Sequence, residues 1–344
     1  MPITGPAASE PVAHGGDLDE IRRRFPNAPQ PWIDLSTGIN PVPYPVADLP
    51  AEAWSRLPTR AAGQALVATA AQRYGVRDPA TVVAAPGTQA LIQLLPRLVP
   101  ASRVAVVGPT YAEHALCWQR GGHEVAVVSD LAEAAGADVV IVVNPDNPTG
   151  RLFPPQALHA ASASLLIVDE AFIDFLPREA SLAGNLPANA IVLRSFGKTY
   201  GLAGLRLGFA VAPLRFAQHL RTELGPWAVS GPALEIGRAA LDDEAWLTAA
   251  AKRLAADQEK LDTLLVEAGF TILGGTTLFR LGEHPQAARL VDVLGQQGIH
   301  VRAFADRPTW LRFGLPANQE GFRRLTTALS RHPDSRGYDP RESG

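Results

Sequence analysis

Four short segments of this 344-residue chain, each following an apolar run, carry the residue types best suited to chemistry. The first is Val168-Asp169-Glu170, where an acid directly ends a run of Leu, Ile and Val. A carboxylate in that position is poorly solvated and costs free energy unless a cation or a strong donor meets it. Alone, Asp169 would read equally well as a helix N-cap. The second runs Ser195-Phe196-Gly197-Lys198-Thr199-Tyr200-Gly201-Leu202-Ala203-Gly204-Leu205-Arg206-Leu207-Gly208. Its four glycines let the backbone turn sharply and approach a ligand closely. Partial burial of Lys198 would lower its pKa and free the amine as a nucleophile for imine chemistry. Ser195 and Arg206 flank it and could grip one phosphate, the arginine through a forked pair of hydrogen bonds. A flexible surface loop with a solvated lysine is the plainer alternative. The third, Pro86-Gly87-Thr88-Gln89-Ala90, leaves an apolar run and opens a helix whose free N–H groups suit a phosphate. By itself it is an ordinary helix start. The fourth, Asn144-Pro145-Asp146-Asn147-Pro148-Thr149-Gly150, has two Asn-Pro steps that fix an irregular turn and aim Asn147 above whatever sheet precedes it.

The elements that must position these residues are short and strongly apolar. Val82–Ala85, Val104–Val107, Glu124–Val128, Val139–Val143, Leu165–Val168, Ile191–Arg194 and Gly208–Val211 read as strands bounded by Gly, Pro or Asp. Most lack polar alternation, as in a mainly parallel sheet covered by helices on both faces. In such a sheet ligands sit beyond the carboxyl ends of the strands, where the four segments lie. From Pro232 to Gly269 the sequence has helical spacing. It then passes to shorter strands, Thr271–Leu273, Leu278–Leu281, His300–Ala303 and Trp310–Phe313, and to a last helix near Asn318–Ser330. That order predicts a smaller α+β domain. The Pro-rich stretch from Pro26 to Pro50 shows no regular element and is expected to wrap over other parts of the molecule.

Taken together, these motifs resemble the fold type I pyridoxal 5′-phosphate (PLP) enzymes of the class I/II aminotransferase group. The resemblance runs from about His14 to Pro316 and rests on N-P-D-N-P-T-G, D-E-A-F and S-F-G-K-T-Y-G-L-A-G-L-R-L-G in that order. It implies an α/β aspartate-aminotransferase-like fold, with a large domain built on a mainly parallel sheet and a smaller α+β domain. The divisions expected are 1–44 as an N-terminal arm and part of the small domain, and 45–225 as the large PLP-binding domain. Residues 226–332 are expected to form the small C-terminal domain and 333–344 a solvated tail. By the resemblance, Lys198 would carry the cofactor as a Schiff base and later move protons. Asp169 would pair with the ring nitrogen, and Asn147 would bond the phenolic oxygen. Gly87, Thr88, Ser195 and Arg206 would hold the phosphate, while Tyr111 would stack on the ring. Arg312, in Leu311-Arg312-Phe313-Gly314, would clamp the substrate carboxylate.

Two subfamilies are similar: histidinol-phosphate aminotransferases and the threonine-phosphate decarboxylases of cobalamin biosynthesis. Ala13-His14-Gly15-Gly16-Asp17-Leu18 resembles the H-G-G-x-L start of the decarboxylases, and Ile33-Asp34-Leu35-Ser36-Thr37-Gly38-Ile39-Asn40-Pro41 their D-F-S-x-N-I-N-P segment. Phe172 stands where the aminotransferases have Tyr. Decarboxylation of L-threonine O-3-phosphate is therefore the expected reaction, with transamination second and a non-catalytic PLP-binding module third. His14 would reach the substrate phosphate, Arg302 would be a second basic group for carboxylate or phosphate, and Asn40 would line the same pocket. Thr37-Gly38 departs from the decarboxylase pattern, and Trp32 has no evident role. Cys117 and Trp227 are expected to pack in the interior.

Composition narrows the partners. The chain is 47% hydrophobic and 19% charged with a net charge of −3, which gives no basic field for nucleic acid or anionic membrane. A single cysteine excludes an internal disulfide and a thiolate metal cluster, so no metal is expected. The apolar runs are strand-length, well under the roughly 20 residues of a membrane helix. Met1 to Val12 lacks the pattern of a secretory signal. A cytoplasmic enzyme acting on a small phosphorylated amino acid is the expectation, and by resemblance a homodimer.

Overall fold

The computed structural model describes residues 15–330. Its twelve strands are β1 (Ile33–Leu35), β2 (Val82–Ala85), β3 (Arg103–Val107), β4 (Glu124–Val128), β5 (Val139–Val143), β6 (Leu165–Asp169), β7 (Ala190–Ser195), β8 (Gly208–Val211), β9 (Thr271–Thr276), β10 (Phe279–Glu283), β11 (Ile299–Phe304) and β12 (Arg307–Gly314). Seven form the large sheet in the order β2-β8-β7-β6-β5-β3-β4. β4, β3, β5, β6 and β7 run parallel. β8 is antiparallel to both β7 and β2, so β2 again runs with β7. The carboxyl ends of β2, β3, β5, β6 and β7 therefore open on one edge, and the chain order reverses between β3 and β5, the switch point where such sheets bind ligands.

The missing polar alternation has a direct cause. Along β5, Val140 and Val142 pack into the core on one face of the sheet, while Val139 and Ile141 pack into the core on the other. β6 divides likewise between Leu166, Val168 and Leu165, Ile167. Each fully buried Val, Ile or Leu contributes about 1.5–3 kcal/mol over an exposed one, so both faces are fixed by sequence.

The small sheet has the order β1-β11-β12-β10-β9. Its core joins Leu35, Phe279, Leu311 and Phe313 to Leu254, Leu261 and Leu265 of the long helix Glu244–Glu267. Two details differ from the sequence reading. β1 lies inside the stretch expected to have no regular element, pairing in parallel with β11 through Ile33↔Ile299, Asp34↔His300 and Leu35↔Val301. Three residues are too few to show a period, and the partner strand is most of the chain away. The helix Gly231–Asp242 falls after the expected division at 225/226, yet Ala233, Leu234, Ala240 and Leu241 join the large-domain core. Its Gly237 lets it sit close: a Cβ there would lie 2.5 Å from Leu207 and 3.1 Å from Leu66. Helical periodicity announces that a face is buried but not which neighbour buries it.

The rest of the Pro-rich stretch does lie over another part of the molecule, as Asn40 N–H donates to Lys198 O and Tyr44 N–H to Tyr200 O. Trp32 is buried in a satellite cluster with Ile21 and Ala28, and Cys117 is buried on the helix Glu113–Arg120. Trp227 was expected to pack; it is instead 58% exposed on a left-handed backbone.

Candidate active site

Lys198 sits in the single turn Phe196–Thr199 that leaves β7. Burial, helped by Arg312, pushes its amine down to about 8, against the opposing pull of Asp169. An amine with that pKa is substantially free at neutral to mildly alkaline pH, as a nucleophile requires. Its Nζ lies 5.7 Å from the centroid of the Phe172 ring.

Asp169 ends β6 and is 4% exposed. Its Oδ1 accepts from Ala171 N–H at 3.1 Å, and its Oδ2 is 2.9 Å from Nε2 of the fully buried His114. A carboxylate accepts, so Nε2 carries the proton in this pair. His114 Nδ1 has no hydrogen-bond partner among the described residues. The tautomer and the ring are thus set by Asp169, and the ring in turn fixes the carboxylate. His114 was not singled out from the sequence. Its only signal was its place three residues after Tyr111, in the turn that opens the helix, where His114 N–H donates to Tyr111 O at 3.2 Å. The rings do meet edge to face, at 6.1 Å and 84°. Tyr111 O–H donates to Gln89 Oε1 at 3.1 Å, and Gln89 Nε2–H donates to Glu113 Oε2 at 3.0 Å. Burial pushes the Tyr111 phenol well above its ordinary range, so it stays neutral.

The expected phosphate residues are brought together by strand register. Gly208 pairs with Ala85 on one side and with Ser195 on the other, so Gly87-Thr88 and Ser195 begin side by side. A Cβ on Gly208 would lie 2.6 Å from Thr88 N, and one on Gly87 would lie 2.8 Å from Arg206 Nη2. Gly87 also has φ +86°, open to glycine and strained for other residues. Ser195 is the N-cap of the lysine turn but makes no capping hydrogen bond with its side chain. Arg206 is exposed with φ +54°, and its Nη1–H donates to Ala203 O at 3.1 Å. The result is a shallow cradle of backbone N–H, hydroxyl and guanidinium.

Arg312, on β12, is 7% exposed and reaches across from the small domain. It donates to Asn147 Oδ1 and, at 2.5 Å, to Ser36 O, and its guanidinium lies 5.1 Å from the Phe279 ring centroid. No carboxylate among the described residues is in ion-pair contact with it. Burial lowers its pKa to about 10, with nearby Arg302 adding to the effect. Arg302 is its register partner on β11 and half-buried. Because Asn147 Oδ1 is taken by Arg312, the amide nitrogen is the part of Asn147 left for an acceptor.

Asn40, expected to line the substrate pocket, is tied to the lysine turn. It is buried, its Nδ2–H donates to Thr199 O at 2.9 Å, and its Oδ1 accepts from Val42 N–H and Arg253. The amide nitrogen holds the lysine turn, and the amide oxygen ties it to Val42 and Arg253. His14 lies outside the described residues. The glycine that follows it is needed: a Cβ on Gly15 would lie 2.3 Å from Ser36 O, the carbonyl that also receives Arg312. Gly16 N–H donates to Ser36 Oγ at 2.8 Å.

The family model "aminotransferase class I and II" matches residues 33–329, which takes in all twelve strands. The chain belongs to this family. Among curated members, it is 46% identical to a threonine-phosphate decarboxylase from Sinorhizobium sp over 94% of this chain and 99% of that one. It is 42% identical to the threonine-phosphate decarboxylase of Pseudomonas aeruginosa, covering 92% and 97%. A solved histidinol-phosphate aminotransferase from Sinorhizobium meliloti, in complex with pyridoxal 5′-phosphate, superposes with a TM-score of 0.79 over 95% of this chain and 98% of that one. Identity there is 22%, so that likeness speaks for the fold. Asp169 and Arg312 both act on the Lys198 amine, and Arg312 donates to Asn147, so the lysine, the strand-end acid and the asparagine are neighbours here.

Proposed function

We propose that the chain is a PLP-dependent lyase that decarboxylates L-threonine O-3-phosphate to (R)-1-aminopropan-2-yl phosphate for cobalamin biosynthesis. The observation that carries the substrate class is Arg312. A buried cation with no carboxylate in contact is costly unless an anion arrives with the ligand. Arg302 beside it on the next strand supplies a second positive charge, and phosphothreonine brings two anionic groups. The near full-length identity to two decarboxylases favours loss of the carboxylate over transamination.

The residues fit the cofactor. Lys198 offers a partly neutral amine, Asp169 a buried carboxylate facing the same cleft, and Gly87, Thr88, Ser195 and Arg206 a phosphate cradle. When bound, PLP supplies a sink for the electron pair left as the Cα–carboxylate bond breaks. Asp169, held by His114, would keep negative charge at the ring nitrogen. The Asn147 amide would be the donor to the phenolic oxygen, since Phe172 has no hydroxyl to add. Tyr111 would cover the ring face. Arg312 and Arg302 fix the substrate's anionic groups, and Lys198 delivers a proton to the carbon that has lost its carboxylate. His14, by its H-G-G context, adds to the substrate phosphate.

A homodimer in the cytoplasm is part of this reading. Trp54, Leu57 and Trp227 are 70%, 66% and 58% exposed, and a largely apolar groove of about 930 Å³ beside Trp227 lies away from the lysine cleft. Apolar surface of that kind marks a protein contact. No helix of the described residues is long and apolar enough to cross a membrane.

Purified holoenzyme given L-threonine O-3-phosphate is expected to release carbon dioxide and aminopropanol phosphate. Given histidinol phosphate and 2-oxoglutarate, it is expected to form no glutamate. Glutamate from the second mixture without carbon dioxide from the first would replace this reading with the aminotransferase.

A further inference from the structure

Beneath the lysine turn, on the side away from the cleft, lies a buried polar cluster to which the reaction assigns no task. Arg194, on β7 four residues before Lys198, donates through Nη1 to Glu170 Oε2 at 3.2 Å and to Ser181 Oγ at 3.1 Å, and through Nη2 to Asp174. Ser181 O–H donates to Glu170 Oε2 at 2.5 Å, and Leu182 N–H to Glu170 Oε1 at 2.8 Å. The guanidinium lies 4.3 Å from the Tyr74 ring centroid. Glu170, Asp174 and Arg194 are all nearly sealed from water, at 0%, 6% and 6% side-chain exposure.

The connections of this cluster are specific. Glu170 is the residue after Asp169, and neighbouring side chains on a strand point to opposite sides. Thr199 is the residue after Lys198, and its hydroxyl donates to Asp174 Oδ2 at 2.5 Å. One guanidinium thus grips the neighbour of the strand-end acid directly and, through a shared carboxylate, the neighbour of the lysine. On the opposite side the turn is closed by Asn40, whose N–H and Nδ2–H reach Lys198 O and Thr199 O, each at 2.9 Å. Buried ion clusters seldom stabilise a fold better than apolar packing of the same volume; what they supply best is a fixed geometry.

We propose that the Arg194–Glu170–Asp174 cluster is a positioning device that sets where Lys198 stands relative to Asp169, with Thr199 as its link to the lysine turn. It rests on Lys198 and Asp169 being the working pair of the reaction proposed above. Arg194, Asp174 and Thr199 are positioning residues, since none touches the cleft's ligands. Releasing Thr199 lets the turn loosen and the Lys198 amine reach water, which weakens the burial that holds its pKa down.

The chain makes this directly readable, because it has only three lysines, and the other two, Lys252 and Lys260, are exposed. Apoprotein would be labelled competitively with acetic anhydride across pH 6–11, each lysine being quantified by peptide mass spectrometry with Lys252 and Lys260 as internal references. Thr199→Val keeps the shape and removes the donor; Thr199→Ser keeps the donor. The expected result is a Lys198 midpoint raised by about half a unit or more in Thr199→Val and restored in Thr199→Ser. In the loaded enzyme kcat is expected to fall about tenfold with KM nearly unchanged. A folded Thr199→Val protein with the wild-type midpoint and kcat overturns the proposal. Should that variant not fold, Ser181→Ala serves in its place. Removing the hydroxyl that bridges Arg194 and Glu170 is expected to raise the midpoint by less, and an unchanged midpoint overturns the proposal equally. The labelling needs no turnover, so failure of the assigned reaction and failure of this inference are separate results.

Discussion

The two sides of the cleft are built differently. On the lysine side, Gly87, Thr88, Asp169, Ser195, Lys198 and Arg206 lie at or beside the ends of four neighbouring strands, β2, β8, β7 and β6, and are fixed by their register. On the arginine side, three separate parts of the chain meet at one carbonyl. Ser36 O receives Arg312 from β12 and lies against Gly15 of the arm, while Asn147 comes over from the large sheet. One side is a rigid platform that can be assembled before any ligand arrives. The other closes a cation, without a contacting carboxylate, between pieces whose relative placement must be right. Cofactor binding should therefore be insensitive to loss of Arg312, whereas damage on the lysine side should remove both cofactor chemistry and turnover.

The largest break in that comparison is Lys198→Ala, which removes the nucleophile and the proton donor together. Turnover is expected to fall by about 10³-fold or more, with the absorbance of the covalently bound cofactor lost. Arg312→Gln tests the other side: kcat/KM for L-threonine O-3-phosphate is expected to drop about 10²-fold or more, while the cofactor titrates in as in wild type. Equal loss of cofactor would mean the two sides are not separable. His114→Ala leaves Asp169 buried without its ring partner, costing about 1–3 kcal/mol of stability. A lower melting temperature and a smaller loss of kcat than for Lys198→Ala are expected, with KM little changed. A pH series sharpens the lysine side. The amine attacks only when deprotonated, so the rate of cofactor uptake by apoprotein is expected to rise with pH through a midpoint near 8 and to level off above it. Arg312, lowered only to about 10, stays charged across that range, so substrate binding should not follow the same curve. The smallest effect belongs to Gly15→Ala, whose Cβ would collide with Ser36 O. A rise in KM of a few-fold is expected, with cofactor affinity unchanged.

The same division decides what could be read from the sequence. Strands buried on both faces and the glycine-rich lysine loop are contiguous signals, and the seven strands of the large sheet stand where their apolar runs predict. The residues around Arg312 could be named only singly. Nothing local announces that Ser36 offers its carbonyl to a side chain 276 positions away, or that β1 exists at all, because three residues between prolines carry no period. His114 was missed for a related reason: its partner is 55 residues distant, and a buried histidine on a helix has no signature of its own. Asn40 stands in a recognisable motif, but the segment's likeness does not say that its amide holds the lysine turn. Thr199 was likewise visible as a letter of a motif and Arg194 as the end of a strand run, but their joint hold on Asp174 is purely a matter of packing.

The most direct test follows the carboxyl carbon itself. L-Threonine O-3-phosphate labelled with carbon-13 at C1 would be incubated with holoenzyme and followed by carbon-13 and phosphorus-31 NMR. The expected result is transfer of all the label to carbon dioxide and bicarbonate, matched one for one by a new phosphate ester resonance of aminopropanol phosphate. Label retained in a phosphorylated 2-oxo acid, with the amino group passed to an acceptor, would contradict the account.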